Sequence, residues 1–229
     1  MRADRRRIAW VALAALLVLL ALLAWWLLRP AADGPGTAVP AAPVAVSAER
    51  IDPANEGRLV AVSGTLEVAT PARDPALGVE APALVLLRHV EMRQWHEECT
   101  GDTCIYTLQW SEQPVEAASF REPAGHANPP FPFADARFEA GGVRLGAFSV
   151  AAAFAADDAP TVAWPVNGGS IPPNLAATLR ERGGILYAGA GPQGDAAGEL
   201  RISYRVVAAG PRRLVGVQRG SQLVPPPHD

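Results

Sequence analysis

No lysine occurs anywhere in the chain, and all 20 of its basic side chains are arginine. The glycine-rich run Gly189-Ala190-Gly191-Pro192-Gln193-Gly194 therefore cannot be completed into a phosphate loop, which needs a Gly-Lys-Ser/Thr ending; it lies between strand candidates and reads as a turn. Cysteine is scarce, with two residues, too few for a zinc site built on thiolates alone. No Gly-x-Ser-x-Gly elbow is present for nucleophilic hydrolysis, and no long-period repeat. Beyond residues 1–7, clustered positive charge is missing as well. The first seven residues hold four arginines against one aspartate, which leaves 16 arginines against 22 acidic residues over the rest, net −6. That is the wrong sign for phosphate, and those arginines are scattered rather than striped, so nucleic-acid binding is excluded as a function class. What the chain does have is apolar bulk, 49% hydrophobic residues in 229, enough for a membrane anchor and one ordinary domain with a core.

The apolar bulk begins with one uninterrupted run. Residues 8–28, IAWVALAALLVLLALLAWWLL, carry no charge and match the roughly twenty residues that cross a hydrocarbon core as a helix. Trp10 near one end and Trp25 with Trp26 near the other suit the headgroup belts. Arg2, Arg5, Arg6 and Arg7 outweigh the single Arg29 beyond the run, which orients residues 1–7 as a cytoplasmic basic tail. A cleaved signal peptide has a shorter apolar core and a small-x-small site; here the run is long and ends in Trp-Trp-Leu-Leu-Arg-Pro, so an uncleaved signal anchor is expected. Residues 29–47, rich in Ala, Pro and Gly, are expected to be an extended linker. Residues 48–229 then form the domain on the far side.

Within that domain the stretch 84–111, LVLLRHVEMRQWHEECTGDTCIYTLQWS, organises the rest. It contains both cysteines, Cys99 and Cys104, flanking Thr100-Gly101-Asp102-Thr103. If they face each other across that turn, Trp95 meets Leu108, Glu97 meets Tyr106 and Arg93 meets Trp110. Side chains alternate at period two, so Gln94, His96, Glu98, Ile105, Thr107 and Gln109 fall on the other face. The expectation is that the Trp95 face packs into the core and the Gln94 face meets solvent or a partner. The translocated side is oxidising, so a Cys99–Cys104 disulfide is expected.

Along the remainder, residues 51–57 form a turn cluster before a strand at 58–63 that ends at Gly64 and continues past a bulge. Residues 71–82 read as a loop, and 112–133, with Pro129, Pro130 and Pro132, as a long irregular excursion. Gly141-Gly142 reads as a tight hairpin turn joining strands at 137–140 and 143–151. A short helix is expected from an Asn174 N-cap to a Gly183 C-cap, with Leu175 and Leu179 on one face. Strands follow at 185–188, 200–207 and 214–217, around a flexible turn at 189–198. The fold class expected is a mainly antiparallel β (α+β) extracytoplasmic domain with one short helix, after a single N-terminal transmembrane helix.

Candidate chemistry is thin. A zinc site from the two cysteines with His96 lacks a third partner at known spacing, His89 and His126 included. Glu97 and Glu98 point to opposite faces of a strand, which defeats a shared acid/base pair. His126 with Asn128 is the one polar constellation in the excursion, and loop structure accounts for it. Arg93 and Trp110 suit a cation–π contact. No catalytic, cofactor or metal residue is assigned.

Several stretches, in order, resemble the transmembrane protein 43 (LUMA) family: Asn55-Glu56-Gly57-Arg58-Leu59-Val60 with Ser63-Gly64, and Val90-Glu91-Met92-Arg93-Gln94-Trp95 with Glu97. Asn128-Pro129, Val143-Arg144-Leu145-Gly146-Ala147-Phe148 and Gln218-Arg219-Gly220-Ser221-Gln222-Leu223-Val224-Pro225 follow. The Val-Glu-Met-x-Gln-Trp element is the most specific; Arg93 stands where the family usually has Tyr. The resemblance implies a cytoplasmic N-terminus, an early membrane helix, a large luminal or extracytoplasmic domain and later membrane helices, which the sequence stops short of, so a short form or a fragment is expected. It also implies membrane organisation without catalysis and no active-site residues. The lysine-free composition suits GC-rich bacterial coding. The resulting expectation is a non-enzymatic scaffold in the bacterial inner membrane, binding protein partners or itself; the alternative is a small-ligand binder or hydrolase-like enzyme using the loop around His126.

Overall fold

Apolar residues recur at every second position in short runs, separated by glycine, proline and asparagine, and such runs form strands. The computed structural model describes residues 42–189 and 196–227. The basic tail, the membrane segment 8–28, most of the linker expected at 29–47 and most of the turn expected at 189–198 lie outside the described residues. Among those described, no helix is long and apolar enough to cross a membrane.

Two sheets carry the domain. The first runs in the order β1 (Val44–Ser47), β2 (Leu59–Glu67), β14 (Gly210–Arg219), β15 (Gln222–Val224), β9 (Phe148–Val150), β8 (Arg144–Leu145). The second runs β11 (Leu179–Arg182), β12 (Ile185–Ala188), β13 (Leu200–Ala208), β5 (Ala83–Thr100), β6 (Thr103–Ser111), with β10 (Val162–Ala163) on β13 and β7 (Ala136–Glu139) on β5. A separate hairpin pairs β3 (Ala72–Asp74) with β4 (Val79–Ala81). Pairing is antiparallel except for β1 with β2 and β15 with β9. The described residues are mainly antiparallel β, as expected, and their one α-helical turn, α1 (Ala152–Ala155), is not the helix expected at 174–183.

Strand β5, 18 residues long, ties the two cores together. Val85 joins the cluster of Val60, Val62, Leu66, Phe148 and Leu223, whereas Leu86, Val90 and Met92 join Leu77, Val79, Leu186, Ile202 and Tyr204. Its pairing with β6 follows the expected register: Arg93 opposes Trp110, Trp95 Leu108, Glu97 Tyr106 and Cys99 Cys104.

Several local expectations are corrected. Residues 174–178 form hydrogen-bonded turns and not a helix, and Leu179–Arg182 is strand β11. Gly183 and Gly184, with φ of 60° and 81°, form the two-residue turn between Arg182 and Ile185. Two successive positive φ values are what a type I′ hairpin needs. Gly141-Gly142 does not close a hairpin, because β7 pairs with β5 in one sheet while β8 pairs with β9 and β2 in the other; it is the crossing between sheets. No bulge occurs at Gly64, where β2 continues opposite Arg212. A Cβ there would lie 3.1 Å from both Ala48 Cβ and Leu145 Cδ1, so close approach is what the glycine allows. Val44–Ser47, expected in the linker, is strand β1, and the loop expected at 71–82 is the β3–β4 hairpin.

That hairpin carries a buried charge. Asp74 is fully buried and pairs with Arg88 at 2.7 Å, while the Tyr204 hydroxyl donates to the same oxygen at 2.7 Å. Arg88 also donates to the Ala134 carbonyl and lies over the Phe133 and Phe138 rings. Burial, with the Asp74 hydrogen bond next, raises the Tyr204 phenol well above its ordinary 10.0.

Candidate functional site

The outer half of the β5–β6 hairpin, with the excursion wrapped around it, collects the residues singled out from the sequence. Cys99 and Cys104 are disulfide-bonded with Cα atoms 4.1 Å apart. Their register makes them a non-hydrogen-bonded pair, the closer of the two antiparallel spacings.

The two faces of the hairpin depart from the expectation at one end: Glu98, Ile105, Thr107 and Gln109 are exposed as expected, but Gln94 on the same face is buried and the Trp95 face does not enter a core. Gln94 is 1% exposed, whereas Trp95, Tyr106, Leu108 and Trp110 are only half-buried and belong to neither core cluster. The cause is parity along one uninterrupted strand. Leu86, Val90 and Met92 point into the second core, so Gln94 follows them and Trp95 must face the other way. The cysteine register was right; it could not say which face the rest of the domain would cover. A readable signal was the Leu86-Val90-Met92 spacing within the same strand.

Gln94 is satisfied inside the protein. Its Nε2 donates to the Gln113 carbonyl at 2.8 Å and its Oε1 accepts from Val115 N–H at 2.9 Å. Asn128 then fastens the returning end of the excursion to the edge of β5 opposite β6. Its Oδ1 accepts from Trp95 N–H at 2.7 Å, and its Nδ2 donates to the carbonyls of Trp95, at 3.0 Å, and Val115, at 3.2 Å. A side-chain amide here replaces the peptide of a neighbouring strand. His126 sits between, stacked on Tyr106 at 3.9 Å and edge-on to Trp95 at 4.8 Å, with Nδ1 2.8 Å from the Glu122 carbonyl.

Nearer the tip, Glu97 is the hub. Its Oε2 accepts from the Tyr106 hydroxyl and from Arg121 N–H, each at 2.6 Å, and Glu122 N–H donates to Tyr106 Oη. The Tyr106 hydrogen bond chiefly holds the Glu97 carboxyl below its ordinary 4.5, and burial chiefly raises the Tyr106 phenol. Glu98 points away and is exposed, so the two glutamates form no pair.

On the same outer face, Arg93 lies over Trp110 at 5.6 Å, and so does Arg201 at 4.7 Å. Arg201 also grips both oxygens of Glu91. His89, Glu91 and Glu112 bring ligand atoms within 4.8 Å of one another, a donor set able to meet a divalent cation, but Glu91 is committed to Arg201 and Glu112 is 64% exposed. Cys99 and Cys104, grouped with Glu97, have no thiolate to offer while bonded to each other.

The other resembling segments also meet. Asn55 is buried, Gly57 N–H donates to the Gln218 carbonyl, Glu56 accepts from Gly220 N–H, and Gln218 Nε2 donates to the Asp52 carbonyl. Asn55-Glu56-Gly57 and Gln218-Arg219-Gly220 are two halves of one clasp. In Val90-Glu91-Met92-Arg93-Gln94-Trp95, two residues fill the core, one pairs across to β13 and one holds the excursion. The quoted motifs build the fold.

Beside this clasped loop runs an open groove of ≈ 670 Å³, lined mainly by Pro114, Val115, Ala117, Pro129, Pro130 and Phe131 with Gln94 and Asn128. Of the polar side chains that line it, Gln94 and Asn128 are bonded to backbone of the excursion and of β5, and Glu116 is exposed.

Comparison with known proteins agrees in one direction. Residues 89–227 match the family model for Transmembrane protein 43. Transmembrane protein 43 of Rattus norvegicus is 31% identical over 203 residues, and that of Homo sapiens 30% over 202, each alignment covering 78% of this chain and 50% of the relative. A homolog from Drosophila melanogaster is 34% identical over 88 residues, covering 32% of this chain and 23% of its own. The chain thus spans about half the length of the vertebrate relatives it matches. No solved structure matches.

Proposed function

Because the chain belongs to the transmembrane protein 43 family, we propose that it is a non-enzymatic membrane scaffold. Residues 8–28 anchor it in the bacterial inner membrane, the N-terminus stays in the cytoplasm, and the β domain works on the extracytoplasmic side, where the disulfide-closed hairpin engages protein partners. One observation carries the reading: the side chains a ligand site would need are spent on architecture. Gln94 and Asn128 bond the backbone of the excursion and of β5, and His126 is stacked on Tyr106 with Nδ1 against a carbonyl. A small-ligand site converges free polar groups on a concave space. The groove beside the excursion has the space, but its two amide side chains, Gln94 and Asn128, are already bonded, which leaves the exposed Glu116 as its other polar side chain.

The test has two arms. A reporter active only in the oxidising compartment, fused after Asp229, should be active; cytoplasmic activity would overturn the topology. Partners captured from native membranes should persist when His126 is changed to Phe, which keeps the stack and removes the imidazole nitrogens. Loss of function with that substitution, while Cys99 and Cys104 remain bonded and the partners remain bound, would favour the alternative of a ligand-binding or hydrolytic loop.

A further inference from the structure

Strand β6 ends its sheet. Its inner side pairs with β5 from Thr103 to Ser111, and among the described residues no strand pairs with its outer side. Antiparallel ladders alternate bonded and non-bonded pairs, and Thr100 opposite Thr103, closing the two-residue turn, is a bonded pair. Cys104, Tyr106, Leu108 and Trp110 therefore turn their N–H and C=O groups outward. Their opposites on β5 obey the same rule, since Trp95 bonds Asn128 and Arg93 exchanges bonds with Glu199 and Gly198, all away from β6. Among the described residues no hydrogen bond takes up the outward backbone groups of β6. The excursion closes the far edge of β5 and leaves this one open.

Sheets ordinarily guard a free edge with charge, proline, a bulge or brevity. The opposite end of this sheet is guarded: β11 has four residues, and Arg180, Glu181 and Arg182 are exposed charges. Strand β6 has nine residues, TCIYTLQWS, with no charge, proline or glycine and an unbroken register. It also carries Ile105, 55% exposed.

We propose that β6 pairs antiparallel with β6 of a second copy of this chain, about a two-fold axis at Thr107, extending the sheet across the dimer. The inference rests on the scaffold reading in giving the hairpin a binding role. An uncharged strand meets its own copy without the like-charge opposition that charged strands suffer, and a two-fold axis makes the contact self-complementary. In this register Tyr106 meets Leu108 of the copy, Cys104 meets Trp110, and all four outward-facing residues bond outward-facing residues. On the other face Ile105 meets Gln109 and Thr107 meets itself.

The experiment uses the full chain in native membranes under mild oxidation. Thr107→Cys places two thiols at a non-bonded pair, with Cα atoms about 4.5 Å apart, within disulfide reach. A covalent dimer should accumulate on a non-reducing gel. Gln109→Cys should give several-fold less, because each thiol lies four residues, roughly 13 Å, from its copy. Adding Leu108→Pro to Thr107→Cys removes an outward N–H and no β5–β6 bond, and should cut the dimer several-fold. If Thr107→Cys crosslinks no better than Gln109→Cys, the pairing is wrong. Fractionation of the same samples reads the anchor separately, so failed crosslinking with the chain in the membrane fraction counts against the edge alone.

Discussion

Gln94 shows how one buried side chain ties down the start of a long excursion. Its buried amide bonds a carbonyl and an N–H of the excursion, and Gln94→Leu removes both bonds at about 0.5–1.5 kcal/mol each. The urea midpoint of the purified protein should fall clearly, with hydrogen-exchange protection lost first at Val115; Gln109→Ala, exposed on β6, should change little. An unchanged midpoint in Gln94→Leu would mean that the excursion is held elsewhere. Trp95→Ala, at a half-buried ring, should cost less than the about 3–5 kcal/mol of a fully buried aromatic. Glu97 offers a pH test. Its carboxyl is depressed in the folded state, first by the Tyr106 hydroxyl. A depressed carboxyl stabilises the fold above its ordinary 4.5 and loses that contribution as pH falls through the lowered value. The Glu97–Tyr106–Arg121 contact should therefore loosen in acid. Tyr106→Phe should move the Glu97 titration, followed by carboxyl NMR, back toward 4.5; no movement would assign the shift to Arg121 N–H instead.

At the scale of elements, residues 174–188 show a cap and a turn competing for one signal. Leu175 and Leu179 with arginines and a following glycine fit a helix end, yet Gly183 and Gly184 together fit a type I′ hairpin. The hairpin prevails because β11 and β12 can bury Leu179 and Leu186 against β13 and Val166, a gain that an isolated helix of two or three turns lacks. The two glycines differ in their surroundings. A Cβ on Gly184 would sit 2.6 Å from Pro165 Cβ and 2.9 Å from its Cα, whereas one on Gly183 meets nothing within 4 Å. Gly184→Ala should thus cost more stability than the about 1–3 kcal/mol of left-handed strain alone, read as a lower thermal midpoint. Gly183→Asn, a residue that tolerates that conformation, should cost clearly less. Equal losses at both positions would argue that backbone strain and not the Pro165 contact is what matters.

Across the whole molecule, the Asp74–Arg88–Tyr204 cluster pins the β3–β4 hairpin to β5 and β13. Asp74→Ala strands a guanidinium that is 10% exposed. Removing one partner of a buried pair costs about 3–5 kcal/mol, so denaturant unfolding should show a large global loss, and a loss below about 1 kcal/mol would mean that water or Ala134 already satisfies Arg88. Nothing in the residues 71–82 marked this cluster beforehand, because Asp74 reads as an ordinary turn aspartate until Arg88, 14 residues on, and Tyr204, 130 residues on, reach it from β5 and β13. By itself the sequence determined the β character, the β5–β6 register and the cysteine pairing, along with the family, since period-two alternation, a short turn and adjacent motif residues are all local. Only the tertiary structure decided that Gln94 lies inside while the Trp95 face stays half-buried, and that Gly141-Gly142 passes between sheets. It also decided that Gln94 and Asn128 serve as clamps. Each of those outcomes depends on which distant segment excludes water from a given side chain, and pleat parity offers two faces without choosing between them.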